Sequence, residues 1–272
     1  MPSPARKLRL AVLVSGGGTN LQALLDRSAA GTLHADVVVV VSDRKDAFGL
    51  VRAERAGVPH HVVDYKACLE RVRDLDPGAI SLPVDLHELD SRQKILKDGD
   101  PIRRLRRLAG LVLAETELLG ILDMYKPDTI CLAGFMRLLS PYFLSRYNKE
   151  DDLRVVNIHP ALLPAFPGEH GYEETFAYGV KWGGVTVHFA DEGEDTGPIL
   201  AQGVYPVWGD DDLDALRARG LQLEYEIYAQ CINWLACGQV EMQRRADGRV
   251  RTVIRDPAYP DILRNWLQKS FS

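Results

Sequence analysis

Asn157-Ile158-His159-Pro160 closes an apolar run that begins at Val155, and Asp195 follows in an acidic, glycine-containing loop, so the chain offers a carboxamide, an imidazole and a carboxylate. In an extended strand, side chains two residues apart share a face. Asn157 and His159 therefore project together while Ile158 turns back into the core. Pro160 keeps His159 extended and ends the ladder. A neutral donor beside a titratable base, with a carboxylate to orient it, is the equipment for moving a proton while steadying an oxyanion. Taken singly, each residue also has an ordinary structural role, as a strand-end asparagine, a core histidine or a loop acid.

The second feature is the turn Ser15-Gly16-Gly17-Gly18-Thr19-Asn20, between an apolar run from Leu8 to Val14 and a helical pattern of Leu21, Leu24 and Leu25. Backbone N–H groups at a helix start, aided by the helix dipole, form an anion site, and phosphate is the natural guest. The turn is not a Walker loop, because no Gly-Lys-Ser/Thr follows, and Leu21 stands where a dinucleotide fingerprint needs its third glycine. As a plain strand-to-helix turn it would use Thr19 as its N-cap.

These groups need elements to position them. Strands at 8–14, 36–42 and 60–63, with helices at 21–28 and 47–56 between them, give the β-α-β-α-β order of a doubly wound sheet. The stretch 65–107 is charged and punctuated by prolines and glycines, and reads as an excursion with some helix. A long amphipathic helix follows over 102–125, then a buried strand over 128–132 and a short helix over 140–147 with Pro141 in its first turn. Beyond the Asn157 strand lies a proline- and glycine-rich loop at 160–171, too long for a simple connection. Strands at 184–189 and 198–207 read as an antiparallel pair, and 212–237 is helical. In open α/β sheets ligands bind beyond the carboxyl ends of the strands, where both the glycine turn and His159 fall. A phosphate cradle and a proton-transfer pair facing one crevice indicate group transfer involving a phosphorylated small molecule.

With 272 residues the chain can bury a sizeable core as one large domain or two small ones. Its net charge of -5 argues against nucleic acid as the main partner. Arg103, Arg104, Arg106 and Arg107 could grip an anion or RNA, but read first as a solvated helix face. The polar N-terminus and the short apolar run behind it suit neither a signal peptide nor a membrane span, so a cytoplasmic protein is expected. Cys68, Cys131, Cys231 and Cys237 have no metal or redox spacing, His60 and His61 point to opposite faces of a strand, and no metal is expected. His188, in an alternating strand, reads as structural, whereas His170 lies in the long loop within reach of a ligand.

With these residues in view, the chain resembles the phosphoribosylglycinamide formyltransferases, folate-dependent enzymes of purine synthesis. The resemblance rests on Ser15-Gly16-Gly17-Gly18-Thr19-Asn20-Leu21-Gln22, Asp46-Ala47-Phe48-Gly49-Leu50, Ala133-Gly134-Phe135-Met136-Arg137-Leu138-Leu139-Ser140-Pro141, Asn157-Ile158-His159-Pro160 with Leu162-Leu163-Pro164, and Asp195-Thr196-Gly197-Pro198, in the family's order. It implies a three-layer Rossmann-like α/β fold, with a mostly parallel central sheet, helices on both faces and antiparallel strands in the C-terminal half. It also implies a single formyltransferase domain: a phosphate-binding half at 8–64, an insertion at 65–107, a folate-binding and catalytic half at 128–238, and an extension at 239–272.

Position by position, the resemblance assigns phosphate binding to Gly18, Thr19 and Asn20, ribose contact to Glu224, and the rest of the glycinamide site to Met136 and Pro160. The pocket for 10-formyltetrahydrofolate, the implied co-substrate, falls on Leu132, Arg137, Leu138 and Leu139, with Ala190 and Glu192 in a loop that closes over it. The implied mechanism is direct attack of the glycinamide amine on the formyl carbon. Asn157 and a protonated His159 would serve the oxyanion, and Asp195 would orient the imidazole and help water carry the proton. The implied partners are the two small molecules, with no nucleic acid or membrane, and the implied assembly is a monomer or homodimer.

The chain departs from the family pattern at Gly183, where a histidine is usual, at Gly171, and in the 65–107 stretch, longer than usual by roughly forty residues. The alternatives are a formyltetrahydrofolate hydrolase or another N-formyltransferase of the same fold, such as one acting on a sugar nucleotide. The hydrolases carry a regulatory domain before the first strand, which here begins at Leu8. A nicotinamide-dependent oxidoreductase would need the missing third glycine, and a non-catalytic binding protein would tolerate loss of Asn157 and His159.

Overall fold

Both faces of the first strand are apolar because both are covered. Leu10, Val12 and Val14 enter one core and Ala11 and Leu13 the other, all completely buried. The computed structural model describes residues 6–150 and 152–271. In chain order the elements are β1 (Leu8–Val14), α1 (Thr19–Ala29), β2 (Ala35–Ser42), α2 (Phe48–Arg55), β3 (His60–Val62), α3 (Tyr65–Val72), α4 (Leu86–Arg92), α5 (Pro101–Tyr125), β4 (Thr129–Leu132), α6 (Pro141–Tyr147), β5 (Val155–His159), α7 (Gly171–Tyr178), β6 (Trp182–Phe189), β7 (Ile199–Pro206), α8 (Leu213–Ala236), β8 (Val240–Arg244), β9 (Val250–Ile254) and α9 (Tyr259–Lys269).

The main sheet has the order β3-β2-β1-β4-β5-β6-β7. Its first five strands are parallel, and β6 and β7 add in antiparallel fashion. One core lies between the sheet and α1, α8 and α9, the other between the sheet and α3 to α6. This is the three-layer, mostly parallel arrangement expected. Strand order reverses beside β1, whose neighbours are β2 and β4, and that reversal opens a crevice at the carboxyl ends. The two loops flanking the crevice are tied together: Ser15 N donates to Gly134 O at 3.0 Å and Met136 N to Ser15 Oγ at 2.8 Å.

Two regions are more ordered than their composition suggests. The 65–107 stretch contains α3, a 3-10 turn at Pro77–Ala79 and α4, with aspartate caps at Asp64, Asp76, Asp85 and Asp100. The residues after α8 form the β8–β9 hairpin and α9, fastened where the fully buried Trp234 donates its indole N–H to Asp256 at 2.8 Å. Three of the four arginines opening α5 are spent locally: Arg104 pairs with Asp90 at 2.7 Å, Arg103 with Asp98 at 3.7 Å, and Arg106 donates to Leu75 O at 2.7 Å. Among the described residues no helix is long and apolar enough to cross a membrane, and no group of three or more His, Cys, Asp or Glu side chains could hold a metal ion.

Glu115, buried in α5, supports the 133–140 loop. It accepts from Ser140 N at 2.6 Å, and its second oxygen bonds the Ser140 hydroxyl, which caps α6. Burial pushes its carboxyl up from 4.5 to about 8. The folded state therefore holds this proton more tightly than the unfolded chain, so stability falls as pH rises from 4.5 through about 8. A glutamine amide in its place would reach the same two groups without titrating. Glu115→Gln is expected to flatten that decline, as read from urea midpoints across the range.

Candidate active site

The crevice holds a cavity of about 390 Å³. Gly17, Gly18, Thr19 and Asn20 line it, together with Leu132, Met136, Arg137, Leu138, Leu139, Asn157, His159, Pro160, Ala190, Asp195 and Glu224. Of the residues singled out from the sequence, Glu192 and His170 are absent from the lining. The Glu192 carboxylate turns away to pair with Arg92 at 2.9 Å, while Ala190, Asp191, Gly193 and Glu194 of the same loop line the cavity. His170 lies outside the lining and starts α7, whereas Gly168 and Glu169 of the same loop do line it.

At one end of the cavity stands the first turn of α1. Its N-cap is Gly18, in the left-handed conformation (φ 66°), not Thr19, and no side chain caps it. The leading amides of the helix, which have no intrahelical partner, are thus left for an anion. Gly18 also passes so close to α2 that a β-carbon on it would lie 2.7 Å from Gly49 Cα. Both the positive φ and the contact exclude a side chain, and Gly18→Ala is expected to destabilise by roughly 1–3 kcal/mol and weaken phosphate binding. Thermal unfolding with and without inorganic phosphate would test this.

Beside the turn, Glu224 of α8 is buried and held by two donors, Asn20 Nδ2 at 2.5 Å and the Tyr172 hydroxyl. Burial raises its carboxyl above the usual range, and the two hydrogen bonds partly restore the ionised form. Tyr172, at the start of α7, also lines the cavity and carries no signal in the sequence. The departure at Gly183 has a physical cause here. The ring of Tyr205, across the β6–β7 ladder, lies 2.3 Å from where a β-carbon at 183 would sit, so tyrosine fills the place of the side chain that glycine lacks.

The carboxamide, imidazole and carboxylate meet in the middle. Asn157 and His159 share a face of β5 as alternation requires. Asp195 arrives from the loop after β6 with φ 53°, and Phe166, from the loop after β5, has φ 54°. Two non-glycine residues in that region mark a site whose surroundings hold it in place, at about 1–3 kcal/mol each. His159 Nε2 lies 2.7 Å from Phe166 O and so carries a hydrogen that it donates. Its Nδ1 lies 3.3 Å from Asp195 Oδ2. Asp195 Oδ2 also accepts from Gly168 N at 2.8 Å.

His188 belongs to this group, although its alternating strand makes it look structural from sequence. It sits directly across the β5–β6 ladder from Asn157. Its Nδ1 faces Phe189 O at 3.0 Å, so Nε2 is the acceptor for Asn157 Nδ2 at 3.1 Å. The second N–H of Asn157 has only a 3.4 Å contact to Asp195 Oδ1, near the limit of a hydrogen bond.

Burial lowers the His159 pKa, against the pull of Asp195 and the Phe166 carbonyl, so the resting ring is neutral at physiological pH. Burial works to raise Asp195, but its close contact with His188, the hydrogen bond from Gly168 and the neighbouring His159 ring outweigh it and hold its carboxyl below the usual range. The site thus holds a fixed negative charge beside a ring that is ready to accept a proton.

The open α/β sheet thus brings an uncapped helix start and an imidazole–carboxylate pair to one switch point, an arrangement suited to group transfer. The family model described as formyl transferase matches residues 8–232, and the chain belongs to that family. It is 34% identical over 239 residues to the phosphoribosylglycinamide formyltransferase of Escherichia coli, covering 88% of this chain and 92% of that one. It is 37% identical over 235 residues to the trifunctional purine biosynthetic protein adenosine-3 of Drosophila melanogaster, covering 86% of this chain but only 14% of that protein. Among solved structures it resembles glycinamide ribonucleotide transformylase 1 from Symbiobacterium toebii, with 36% identity, a TM-score of 0.71, and 93% and 96% of the two chains covered. A formyltetrahydrofolate deformylase from Pseudomonas syringae is similar at 25% identity and a TM-score of 0.67, with 93% of this chain and 67% of that one covered.

Proposed function

We propose that this chain transfers a formyl group from 10-formyltetrahydrofolate to the amine of phosphoribosylglycinamide, as the E. coli relative's name describes for its own substrate. The observation that carries the reading is the meeting of Asn157, His159 and Asp195 in the same cavity as the uncapped first turn of α1. Gly18, Thr19 and Asn20 hold the phosphate, Glu224 the ribose, and Met136 and Pro160 flank the glycinamide. Leu132, Arg137, Leu138, Leu139 and Ala190 receive the folate.

The amine nitrogen attacks the formyl carbon and the carbonyl oxygen becomes an oxyanion. Asn157 turns its loosely held N–H to that oxygen. The developing charge, added to Asp195 and the Phe166 carbonyl, favours uptake of a solvent proton at His159 Nδ1, whose long contact to Asp195 leaves that N–H able to be shared with the oxyanion, and the proton returns to solvent on collapse. Collapse breaks the bond from the formyl carbon to the folate nitrogen. Asp195, with a bridging water, passes the proton lost by the amine to that leaving nitrogen. The protein works in the cytoplasm, as a monomer or homodimer.

The likeness to a deformylase favours hydrolysis as a second reading. A water acceptor, however, makes no use of the α1 turn and Glu224, which line the same cavity. Following tetrahydrofolate release with and without phosphoribosylglycinamide separates the two. Release is expected only with the amine, and equal release without it would establish the hydrolase.

A further inference from the structure

The sequence leaves the role of the 65–107 stretch open, as a lid, an interface or an inert insertion. After α4 its turn at 93–96 reaches the cavity, where Ile95 forms part of the wall. Ile95 is 7% exposed and belongs to the same buried apolar cluster as Leu132 and Leu139, against which Leu138 and Ala190 pack. The turn is held from within. Gln93 Oε1 accepts from Ile95 N at 3.1 Å and Leu96 N at 2.7 Å, and Gln93 Nε2 donates to Leu96 O at 3.2 Å and Asp90 Oδ1 at 3.1 Å. Asp90 in turn receives two bonds from Arg104 of α5, at 2.7 and 2.8 Å.

On its other side the turn grips the loop that delivers Asp195. Lys94 N donates to Glu192 O at 3.1 Å and Arg92 Nη2 to Glu192 Oε1 at 2.9 Å. This explains why Glu192 points away from the cavity. The 190–195 loop is fastened to the turn at 93–96 through Glu192 while Asp195 faces His159. A chain segment with no part in the reaction chemistry therefore supplies an apolar wall of the cavity and a clamp on the 190–195 loop.

We infer that the turn at 93–96 is an added wall of the formyl donor's pocket, with Ile95 contacting the flat face of its bicyclic heteroaromatic head as a specificity-determining residue and Arg92 positioning the 190–195 loop. This rests on the folate reading above. Shortening Ile95 removes apolar contact from the donor alone. Ile95→Ala is expected to raise the Kd for tetrahydrofolate and the KM for 10-formyltetrahydrofolate about tenfold, with the KM for phosphoribosylglycinamide changed less than about twofold. Ile95→Val, which keeps the core filled if alanine does not fold, should raise both donor constants about threefold, the effect of one buried methylene.

The partly exposed Arg92–Glu192 pair contributes less. Arg92→Glu is expected to raise the donor KM about threefold, and adding Glu192→Arg should restore it. Unchanged donor constants in a folded Ile95 variant, or a donor KM that ignores the charge reversal, would overturn the inference. If the unaltered protein does not bind tetrahydrofolate, the folate reading itself fails. If it binds and the Ile95 variants bind equally well, only the added wall fails.

Discussion

Asn157→Ala is expected to lower kcat by roughly a hundredfold to a thousandfold, the range for removing one donor from an oxyanion site. Both KM values should change little, because the lost bond forms only as the carbonyl oxygen gains charge. The fold should survive. Asn157 is only partly buried, and its partners are side chains of the site, His188 at 3.1 Å and Asp195 at 3.4 Å. Losing about one hydrogen bond's worth of stability, ~1 kcal/mol, shifts the melting midpoint of a chain this size by about 2–4 °C. Steady-state kinetics with a melting curve would check both parts. A kcat within about tenfold of the unaltered protein would remove Asn157 from the mechanism.

Asp195→Asn is expected to have an effect at least as large. Asparagine tolerates the left-handed backbone that Asp195 adopts at φ 53°, so the loop keeps its path and the change isolates the charge. Without that charge, His159 keeps its burial and the repulsion of His188 but loses the attraction that opposes them. Its pKa should fall further below the ordinary value, and the imidazolium should become harder to form. We expect kcat to drop by about a thousandfold or more, in line with other carboxylates that hold a catalytic imidazole. The alkaline limb of the rate profile should move to lower pH, because the remaining activity depends on an imidazolium that now forms only at lower pH. Titration of His159 by NMR in both proteins would show the shift directly. A His159 pKa that stays put or rises would contradict the role given to Asp195.

Much of this site was legible because it depends on strict local periodicity. Alternation places Asn157 and His159 on one face, and the glycine run after an apolar strand marks the α1 turn. The same logic applied across the ladder would have found His188. In β6, Thr186 and His188 share a face, and in antiparallel pairing they stand opposite His159 and Asn157. The sequence shows the polar pair but not the register, so His188 read as structural.

What stayed hidden depends on irregular backbone and distant contacts. The Phe166 carbonyl that accepts from His159, and the Gly168 N–H that holds Asp195, come from a loop whose path no periodicity encodes. Tyr172 reaches Glu224 from α7, a short helix with glycine at its first position and weak amphipathicity, which merges with the loop before it. Ile95 lies in a charged stretch whose order comes from aspartate caps and one glutamine clamp rather than from an apolar stripe. Thr19 was the reasonable N-cap by residue type, but the close pass of Gly49 draws Gly18 into that position.

The most direct test follows the formyl carbon itself. The protein is supplied with 10-formyltetrahydrofolate labelled with 13C at the formyl group, together with unlabelled phosphoribosylglycinamide, and the products are read by NMR. The account predicts that the label appears on the glycinamide nitrogen, one equivalent for each tetrahydrofolate released, with none as free formate. Label collecting as formate while the amine stays unmodified would contradict it.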